Sequence, residues 1–288
     1  MINNFIADQI RANFGFEPTF EQSEVIHQLS EFILSGNASE VFLLRGFAGT
    51  GKTSLVAALV KTLDAMKQRV VLMAPTGRAA KVFALYSGHP AYTIHRRIYR
   101  QKSLTDETSF SLSPNLTRDT LFIVDEASMI GDGISDTSFG SGCLLDDLFQ
   151  FVYSGEGCRL LLLGDTAQLP PVGLDESPAL SPQRLSHYGT DVKTMELTRV
   201  MRQDEMSGIL ENATAIRERI CQLADRGSIT SIRLNKPLRL RCMPDVQSIN
   251  GSELIEKISD SYSDAGEDET MIICRSNKNA NTYNRGIR

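Results

Sequence analysis

At residues 46–53 the chain reads Gly-Phe-Ala-Gly-Thr-Gly-Lys-Thr, which matches the pattern G-x-x-x-x-G-K-[S/T]. The stretch follows an apolar run, Val41 to Leu44, and precedes residues at helical spacing from Ser54 to Lys67. A phosphate-binding loop requires this strand–turn–helix context. Its glycines let backbone N–H groups surround phosphate oxygens, and the N-terminus of the following helix adds its dipole. The stretch therefore predicts a nucleoside-triphosphate site, with a chance glycine-rich turn as the alternative.

Within this loop, Lys52 is suited to the β- and γ-phosphates and Thr53 to a magnesium ion. The stretch Asn277-Lys278-Asn279-Ala280 lacks the carboxylate that specifies guanine in the similar Asn-Lys-x-Asp element. We therefore expect ATP and Mg²⁺ as the cofactors. The loop residues expected to bind the triphosphate are Gly46, Ala48, Gly49, Thr50, Gly51, Lys52, Thr53 and Ser54.

Other apolar runs alternate with helical patterns along the chain. Strands are predicted at Arg69–Ala74, Leu121–Val124, Leu160–Leu163 and Met271–Cys274, with a strand-like alternation at Arg233–Met243. Helices are predicted at Phe20–Leu34, Thr76–Tyr86, Ile209–Leu223 and Leu254–Ile258. Continuous apolar strands that alternate with helices indicate an α/β fold whose parallel sheet is covered on both faces. The chemistry of such a fold is expected at the carboxyl ends of the strands.

Two acidic residues follow the strand predicted at Leu121–Val124. Asp125 is suited to hold Mg²⁺, and Glu126 is suited to orient and deprotonate an attacking water molecule. Gln168 follows the strand predicted at Leu160–Leu163, and glutamines position water in other P-loop enzymes. Gln168 could contact the γ-phosphate, or it could lie on a proline-stiffened loop and face solvent; the residues alone leave both open.

The charge distribution is uneven. The chain carries 30 Lys and Arg against 35 Asp and Glu, a net charge of −5, but no acid lies between Asp64 and Asp106. This stretch, the basic window, contains Lys67, Arg69, Arg78, Lys81, Arg96, Arg97, Arg100 and Lys102, with Phe83, Tyr86, Tyr92 and Tyr99 among them. Cations that neutralise phosphates, with aromatic faces that stack on bases, are typical of a single-stranded nucleic-acid track. The alternative is a solvated basic face whose aromatic residues lie in the core.

Several other classes of protein are excluded. The longest aliphatic run, Leu160–Leu163, is too short to cross a bilayer, and no basic segment precedes an apolar stretch at the N-terminus. The 5 cysteines include no C-x-x-C pair. We therefore expect reduced thiols in a cytoplasmic protein, without a membrane partner or a structural zinc site.

Several stretches resemble, in the correct order, the motifs of superfamily 1B DNA helicases of the RecD-like and Dda-like type, from about Phe16 to Arg288. They are Thr19–Gln22 (the glutamine motif), Gly46–Thr53 (motif I), Ala74–Ala80 (motif Ia), Thr93–Arg96 (motif Ib), Val124–Met129 (motif II), Gly164–Gly173 (motif III) and Glu196–Gln203 (motif IV). The resemblance implies a RecA-like P-loop NTPase domain followed by the beginning of a second RecA-like domain. ATP would bind in the cleft and single-stranded DNA across the top.

The resemblance also implies roles for single residues. Gln22 would read adenine, Gln168 would contact the γ-phosphate, and Arg202 would meet the γ-phosphate as an arginine finger. The expected catalytic residues are then Lys52, Asp125, Glu126, Gln168 and Arg202, and the expected metal ligands are Thr53 and Asp125. The expected DNA contacts are Pro75, Thr76, Arg78, Thr93, His95 and Arg96.

In relatives, a hairpin inserted between motifs Ib and II splits the duplex. Tyr99–Arg118 matches this insertion, and Phe110, its only phenylalanine, is the candidate wedge unless the ring packs down instead. Single-stranded DNA and duplex junctions are the expected partners. The expected domains are 1–205, a helical linker at 206–233, and a partial second RecA-like domain at 234–288. Motifs V and VI have no counterpart, so we expect a chain that ends within that second domain.

The expected function is that of the N-terminal motor portion of an ATP-dependent 5′–3′ DNA helicase. Such a motor couples ATP hydrolysis to translocation along single-stranded DNA and to unwinding, in DNA repair or recombination. One alternative is a non-catalytic module that binds ATP and nucleic acid. The other is an RNA-directed P-loop NTPase.

Overall fold

The computed structural model describes residues 2–103, 106–133, 139–201, 207–224, 240–267 and 269–287. The chain divides into two compact units, Met1–Gln203 and Asp204–Arg288. The helices and strands of the first unit are α1 (Ile2–Phe14), α2 (Phe20–Leu34), β1 (Glu40–Gly46), α3 (Lys52–Ala65), β2 (Arg69–Ala74), α4 (Gly77–Ser87), β3 (Ala91–Thr93), α5 (Ile94–Ile98), β4 (Tyr99–Ser103), β5 (Asp106–Leu112), β6 (Thr120–Val124), α6 (Leu144–Tyr153), β7 (Arg159–Gly164), α7 (Pro182–Ser186) and β8 (Asp191–Leu197).

Six strands of the first unit form one sheet, in the order β3-β2-β6-β7-β1-β8. Every neighbouring pair in this sheet is parallel. The structure therefore confirms the predicted α/β fold with a parallel sheet. Because the strands run in the same direction, the residues that follow β1, β2, β6, β7 and β8 meet at one edge of the sheet.

The apolar strands supply both layers of the core. Phe42 and Leu44 of β1 pack in a cluster with residues of α1, α2 and α3. Val41 and Leu43 of the same strand pack in a second cluster with residues of α5 and α6. Successive strand residues point to opposite faces, so a continuous apolar run fills the space under both layers of helices.

Strands β4 and β5 form a separate antiparallel hairpin. The hairpin begins at Tyr99, directly after α5, and lies within the insertion predicted at Tyr99–Arg118. The loop that follows motif II contributes to its support, because the N–H of Gly140 donates to the carbonyl oxygen of Phe110 at 3.0 Å.

The second unit contains three helices in its described part: α8 (Gly208–Ala224), α9 (Leu254–Ala265) and α10 (Asn277–Ile287). The helical patterns at Ile209–Leu223 and Leu254–Ile258 predict the first two. Asp245 holds the start of α8, because its carboxylate accepts hydrogen bonds from the N–H groups of Gly208 and Ile209.

One predicted strand of the second unit is wrong. The apolar run Met271–Cys274 is expected as a buried strand, but it has no strand geometry, and Ile273 is 88% exposed. The described part of this unit contains no strand with which the run could form a sheet. The strand-like pattern at Arg233–Met243 lies mostly outside the described residues; its last residue, Met243, forms an isolated bridge with Val246.

None of the helices in the described ranges is long and apolar enough to cross a membrane.

Candidate functional site

The loop at residues 46–53 connects β1 to α3 and encloses the N-terminus of that helix. Gly49 and Gly51 adopt left-handed backbone angles, with φ of 81° and 87°. Gly46 lies against β8, and a Cβ there would stand 2.8 Å from the carbonyl oxygen of Leu197. The glycines of the motif are therefore required both by the turn and by a close approach between strands.

Lys52 and Thr53 lie at the first turn of α3. The ammonium group of Lys52 donates to the carbonyl oxygens of Gly46 at 2.5 Å and Phe47 at 2.9 Å. The hydroxyl of Thr53 donates to Oδ2 of Asp125 at 3.3 Å. The structure thus brings together motif I from β1–α3 and motif II from the end of β6.

Asp125 and Thr53 fit a magnesium ion. Both offer oxygen ligands beside the phosphate-binding loop, the ligand type that Mg²⁺ prefers. Burial raises the pKa of Asp125, while a hydrogen bond from the N–H of Glu126 and the charge of Lys52 lower it. A cation bound at this carboxylate would favour its charged form in the same way as Lys52.

Glu126 has a strained backbone, with φ of 57° in the left-handed region. Its N–H donates to Oδ1 of Asp125 at 2.8 Å. Burial and then the charge of Asp125 raise the pKa of Glu126, opposed by a hydrogen bond from the Gln168 side chain. A carboxylate with a raised pKa is suited to accept a proton from water.

Gln168 does not simply face solvent. Its side-chain oxygen accepts a hydrogen bond from the hydroxyl of Ser128 at 2.8 Å, and its side chain lowers the pKa of Glu126. The loop that carries it turns at Asp165, whose side chain accepts from the N–H of Ala167 at 2.8 Å. Gln168 is exposed on this loop but is bonded to motif II through Ser128, and its contact with the γ-phosphate stays a prediction.

A cavity of about 740 Å³ joins these groups. It is lined by Phe14, Phe16, Glu17, Gln22, Phe47, Ala48, Gly49, Gly51, Lys52, Thr53, Ser54, Tyr86, Asp125, Glu126, Gly164, Asp165, Gln168 and Met201. Two residues that are expected to bind the triphosphate do not line this cavity. Gly46 packs on Leu197, and Thr50 is only 1% exposed. The sequence motifs do not predict that Phe14, Phe16 and Tyr86 line this cavity. Phe14 lies at the end of α1, Phe16 follows that helix, and Tyr86 lies in α4, so all three lie outside the motifs of the site.

Gln22 is held from both ends of its amide. Its Oε1 accepts from the N–H of Thr19 at 2.9 Å in a capping box at the start of α2, and its Nε2 donates to the carbonyl oxygen of Thr50 at 2.9 Å. The side chain is 3% exposed. Gln22 therefore supports the phosphate-binding loop through its hydrogen bond to Thr50. Its expected role in reading adenine stays a prediction.

Motif IV runs beside the same loop. Glu21 accepts hydrogen bonds from the N–H and hydroxyl of Thr198 at 2.8 and 2.6 Å, and from the N–H of Arg199 at 3.1 Å. The N–H of Met201 donates to the carbonyl oxygen of Gly49 at 2.9 Å. Arg202, the expected arginine finger, lies outside the described residues.

The residues expected to contact DNA follow β2 and β3 at the same edge of the sheet as the cavity. Thr76 and Thr93 each cap a helix, since their hydroxyls accept from the N–H groups of Ala79 and Arg96 at 3.2 Å. Pro75 precedes Thr76 and is partly exposed, and Arg78 is exposed in the first turn of α4. His95 packs edge-on against Phe139, with ring centroids 5.1 Å apart.

The aromatic residues of the basic window divide into two groups. Phe83 and Tyr99 are 1% and 8% exposed and belong to the core, so they are not available for base stacking. Tyr92 is 39% exposed, and the guanidinium of Arg96 lies 5.9 Å from its ring centroid. Tyr86 is also exposed, but it lines the nucleotide cavity.

Phe110 lies on the stem of the hairpin, paired with Gln101, and not at its tip. Its ring stacks on Phe139 with centroids 4.7 Å apart and planes at 9°. The expectation of an exposed wedge at Phe110 is therefore corrected: the ring packs down because the loop after motif II offers it a flat aromatic partner.

Comparison with known proteins agrees with this architecture. The AAA domain family matches residues 21–233. The ATP-dependent RecD2 DNA helicase of Deinococcus radiodurans is 31% identical over 195 residues, which cover 67% of this chain and 23% of the relative. The ATP-dependent DNA helicase dda of Enterobacteria phage T4 is 28% identical over 183 residues, covering 60% of this chain and 37% of the relative.

Among solved structures, the Pif1 helicase of Candida albicans has a TM-score of 0.47 at 19% identity, over 86% of this chain and 55% of that one. The chain spans well under half the length of the two curated relatives described above. The family match covers most of the chain and includes motifs I, II and III. The chain therefore belongs to the AAA domain family, with RecD-like and Dda-like proteins of helicase superfamily 1B as its relatives.

Proposed function

We propose that the chain is the motor portion of an ATP-dependent DNA helicase, which couples ATP hydrolysis to movement along single-stranded DNA. The observation that supports this most is the convergence of Lys52, Thr53, Asp125, Glu126 and Gln168 on one cavity. These residues come from three strand ends that are far apart in sequence. Their convergence supports a triphosphate site, and it offers ligands for a metal ion and a base for water in one place.

The chemistry assigned to this site is hydrolysis of the γ-phosphate by in-line attack of water. Lys52 and the loop N–H groups would bind the triphosphate, and Thr53 and Asp125 would hold Mg²⁺, which neutralises phosphate charge when bound. Glu126 accepts the proton of the attacking water, and Gln168 orients that water. Arg202 would stabilise the charge of the transition state.

The finer parts of the proposal rest on the resemblance to the helicase family. They are 5′–3′ polarity, a role in DNA repair or recombination, action at duplex junctions, and the domain boundaries 1–205, 206–233 and 234–288. A cytoplasmic location is proposed because Cys143, Cys158, Cys242 and Cys274 are all unpaired.

Two substitutions separate nucleotide binding from hydrolysis. Lys52→Ala removes the cation of the loop, so we expect ATP affinity to fall at least about tenfold and ATPase activity to be lost. Glu126→Gln keeps the size of the side chain but cannot accept the proton, so ATP should bind normally while turnover falls by about 10²-fold or more. Binding is measured by calorimetry and turnover by phosphate release with a single-stranded oligonucleotide present.

Lys61→Ala is the matched control, because Lys61 is an exposed lysine on the same helix. DNA-stimulated turnover that survives either Lys52→Ala or Glu126→Gln contradicts the proposal. Wild-type chain that binds ATP and DNA but never hydrolyses ATP would instead be the non-catalytic module. Stronger stimulation by RNA than by DNA of equal length would favour the RNA-directed NTPase.

A further inference from the structure

Ser128 is a buried hydroxyl that links motif II to motif III. It lies in the short 3₁₀ turn Ala127–Met129, three residues after Asp125, and is 2% exposed. Its Oγ donates to Oε1 of Gln168 at 2.8 Å. The remainder of Gln168 is exposed on its loop, so this hydroxyl is a fixed partner for an otherwise accessible side chain.

The Ser128 hydroxyl and the Glu126 carboxylate together decide which way the Gln168 amide faces. A carboxamide has an oxygen that accepts and an NH₂ group that donates, whereas an ionised carboxylate only accepts. With Oε1 bound to Ser128, the NH₂ group is the end that remains for Glu126, and the Gln168 side chain lowers the pKa of that carboxylate, as a donor does. A rotation of the amide by 180° would place two acceptor groups against each other.

The turn that carries Ser128 is itself held in place. Ser177, which is 6% exposed, has its hydroxyl 3.1 Å from the carbonyl oxygen of Ala127 and 3.0 Å from that of Ile130. On the other side, the N–H of Gln168 donates to the carbonyl oxygen of Asp165 at 3.2 Å. Both partners of the Ser128–Gln168 hydrogen bond therefore lie on fixed backbone.

We propose that Ser128 is a positioning residue for ATP hydrolysis, whose hydroxyl holds the Gln168 amide with its NH₂ group toward Glu126 and the nucleotide cavity. This inference rests on the proposed ATPase function. Ser128 acts through Gln168 and does not contact the nucleotide. Its contribution therefore belongs to the rate of hydrolysis and not to ATP affinity.

Removal of the hydroxyl tests this assignment. In Ser128→Ala, kcat for DNA-stimulated hydrolysis should fall about three- to tenfold, the loss expected for one orienting hydrogen bond, while the KM for ATP stays within about twofold. Ser128→Thr keeps the hydroxyl and should retain most of kcat. Ser30→Ala is the matched control, because it removes a buried hydroxyl whose hydrogen bond, to the carbonyl oxygen of Ile26 at 2.8 Å, lies within α2, and it should leave kcat unchanged.

A double-mutant comparison separates positioning from packing. If Ser128 acts through the Gln168 amide, Ser128→Ala should cause no further decrease in kcat once Gln168→Ala is present. This comparison also decides the matter if the larger side chain of Ser128→Thr prevents folding. Equal losses from Ser128→Ala in both backgrounds, or a loss of similar size in Ser30→Ala, would overturn the proposal.

A second readout does not depend on turnover. In the ¹⁵N-labelled full chain, the side-chain NH₂ signals of Gln168 are identified by their disappearance in Gln168→Ala. These signals should be distinct in the wild type and Ser30→Ala, and should move toward the values of a solvated amide in Ser128→Ala. Unchanged signals in Ser128→Ala overturn the inference. Failure of the wild type to hydrolyse ATP would count against the proposed function, and these signals would still decide the orientation of Gln168.

Discussion

Single residues shape this site through hydrogen bonds between motifs that are far apart in sequence. Glu21, next to Gln22 in α2, accepts three hydrogen bonds from Thr198 and Arg199 of motif IV. The hydroxyl of Thr198 has the largest effect among these partners and lowers the pKa of Glu21. The charged carboxylate is therefore the form that stabilises the folded chain.

Glu21→Gln should reduce stability in a pH-dependent way. Because the pKa of Glu21 is lower in the folded chain than its ordinary value of 4.5, its stabilisation is fully present above that value and is lost as the pH falls through the folded-state pKa. We expect the melting temperature of the variant to be lower by roughly 1–3 °C at pH 7, because the site is partly exposed. The difference should shrink below about pH 4.5. Thermal unfolding from pH 7 to pH 3 measures it, and a constant difference would contradict this explanation.

The sequence predicts some of these residues and not others, for a physical reason. Lys52 and Thr53 are defined by local spacing around a turn, which a sequence displays directly. Tyr86 is expected on a nucleic-acid track and lines the nucleotide cavity instead. Its position depends on how α4 packs against the rest of the sheet, and no local pattern records that packing.

At the scale of elements, the β4–β5 hairpin is tied to the sheet domain at its base. The hydroxyl of Tyr99 donates to Oδ2 of Asp147 in α6 at 2.7 Å, and burial raises the pKa of Tyr99, which keeps the phenol protonated as a donor. Asp147 also accepts from the N–H of Ser141 at 3.0 Å. A single buried carboxylate thus joins the hairpin, the loop after motif II and α6.

Tyr99→Phe should destabilise the first unit by about 1–3 kcal/mol, because the buried carboxylate of Asp147 loses a donor. Tyr188→Phe is the control, since the hydroxyl of Tyr188 donates to Asp146, which is exposed and can bind water instead. Urea unfolding measures both variants. Equal losses in the two variants would show that burial of Asp147 does not matter.

An apolar run is correctly predicted as a strand where the fold places another strand on each side of it. Leu160–Leu163 forms the centre of β7, between β1 and β6. Met271–Cys274 has a similar apolar pattern but no strand geometry, and the described part of its unit contains no strand. A strand is stabilised by pairing with a neighbouring strand, so the apolar pattern of one segment alone cannot establish that the segment forms a strand.

For the whole molecule, net charge is a poor guide to partners. The chain carries −5, yet the basic window contains eight cations and no acid. Arg78, Lys81, Arg96 and Arg100 of this window are exposed. We therefore expect binding to single-stranded DNA that weakens steeply with salt despite the negative total.

The most direct test of the account is the rate of ATP hydrolysis by the chain with and without single-stranded DNA, at low and moderate salt. DNA should stimulate hydrolysis at least about tenfold at low salt, and the stimulation should decrease as salt weakens DNA binding. The stimulation should be absent in Glu126→Gln. A hydrolysis rate that DNA does not change at low salt, in a chain shown to bind ATP, would contradict the claim that this cavity drives a DNA motor.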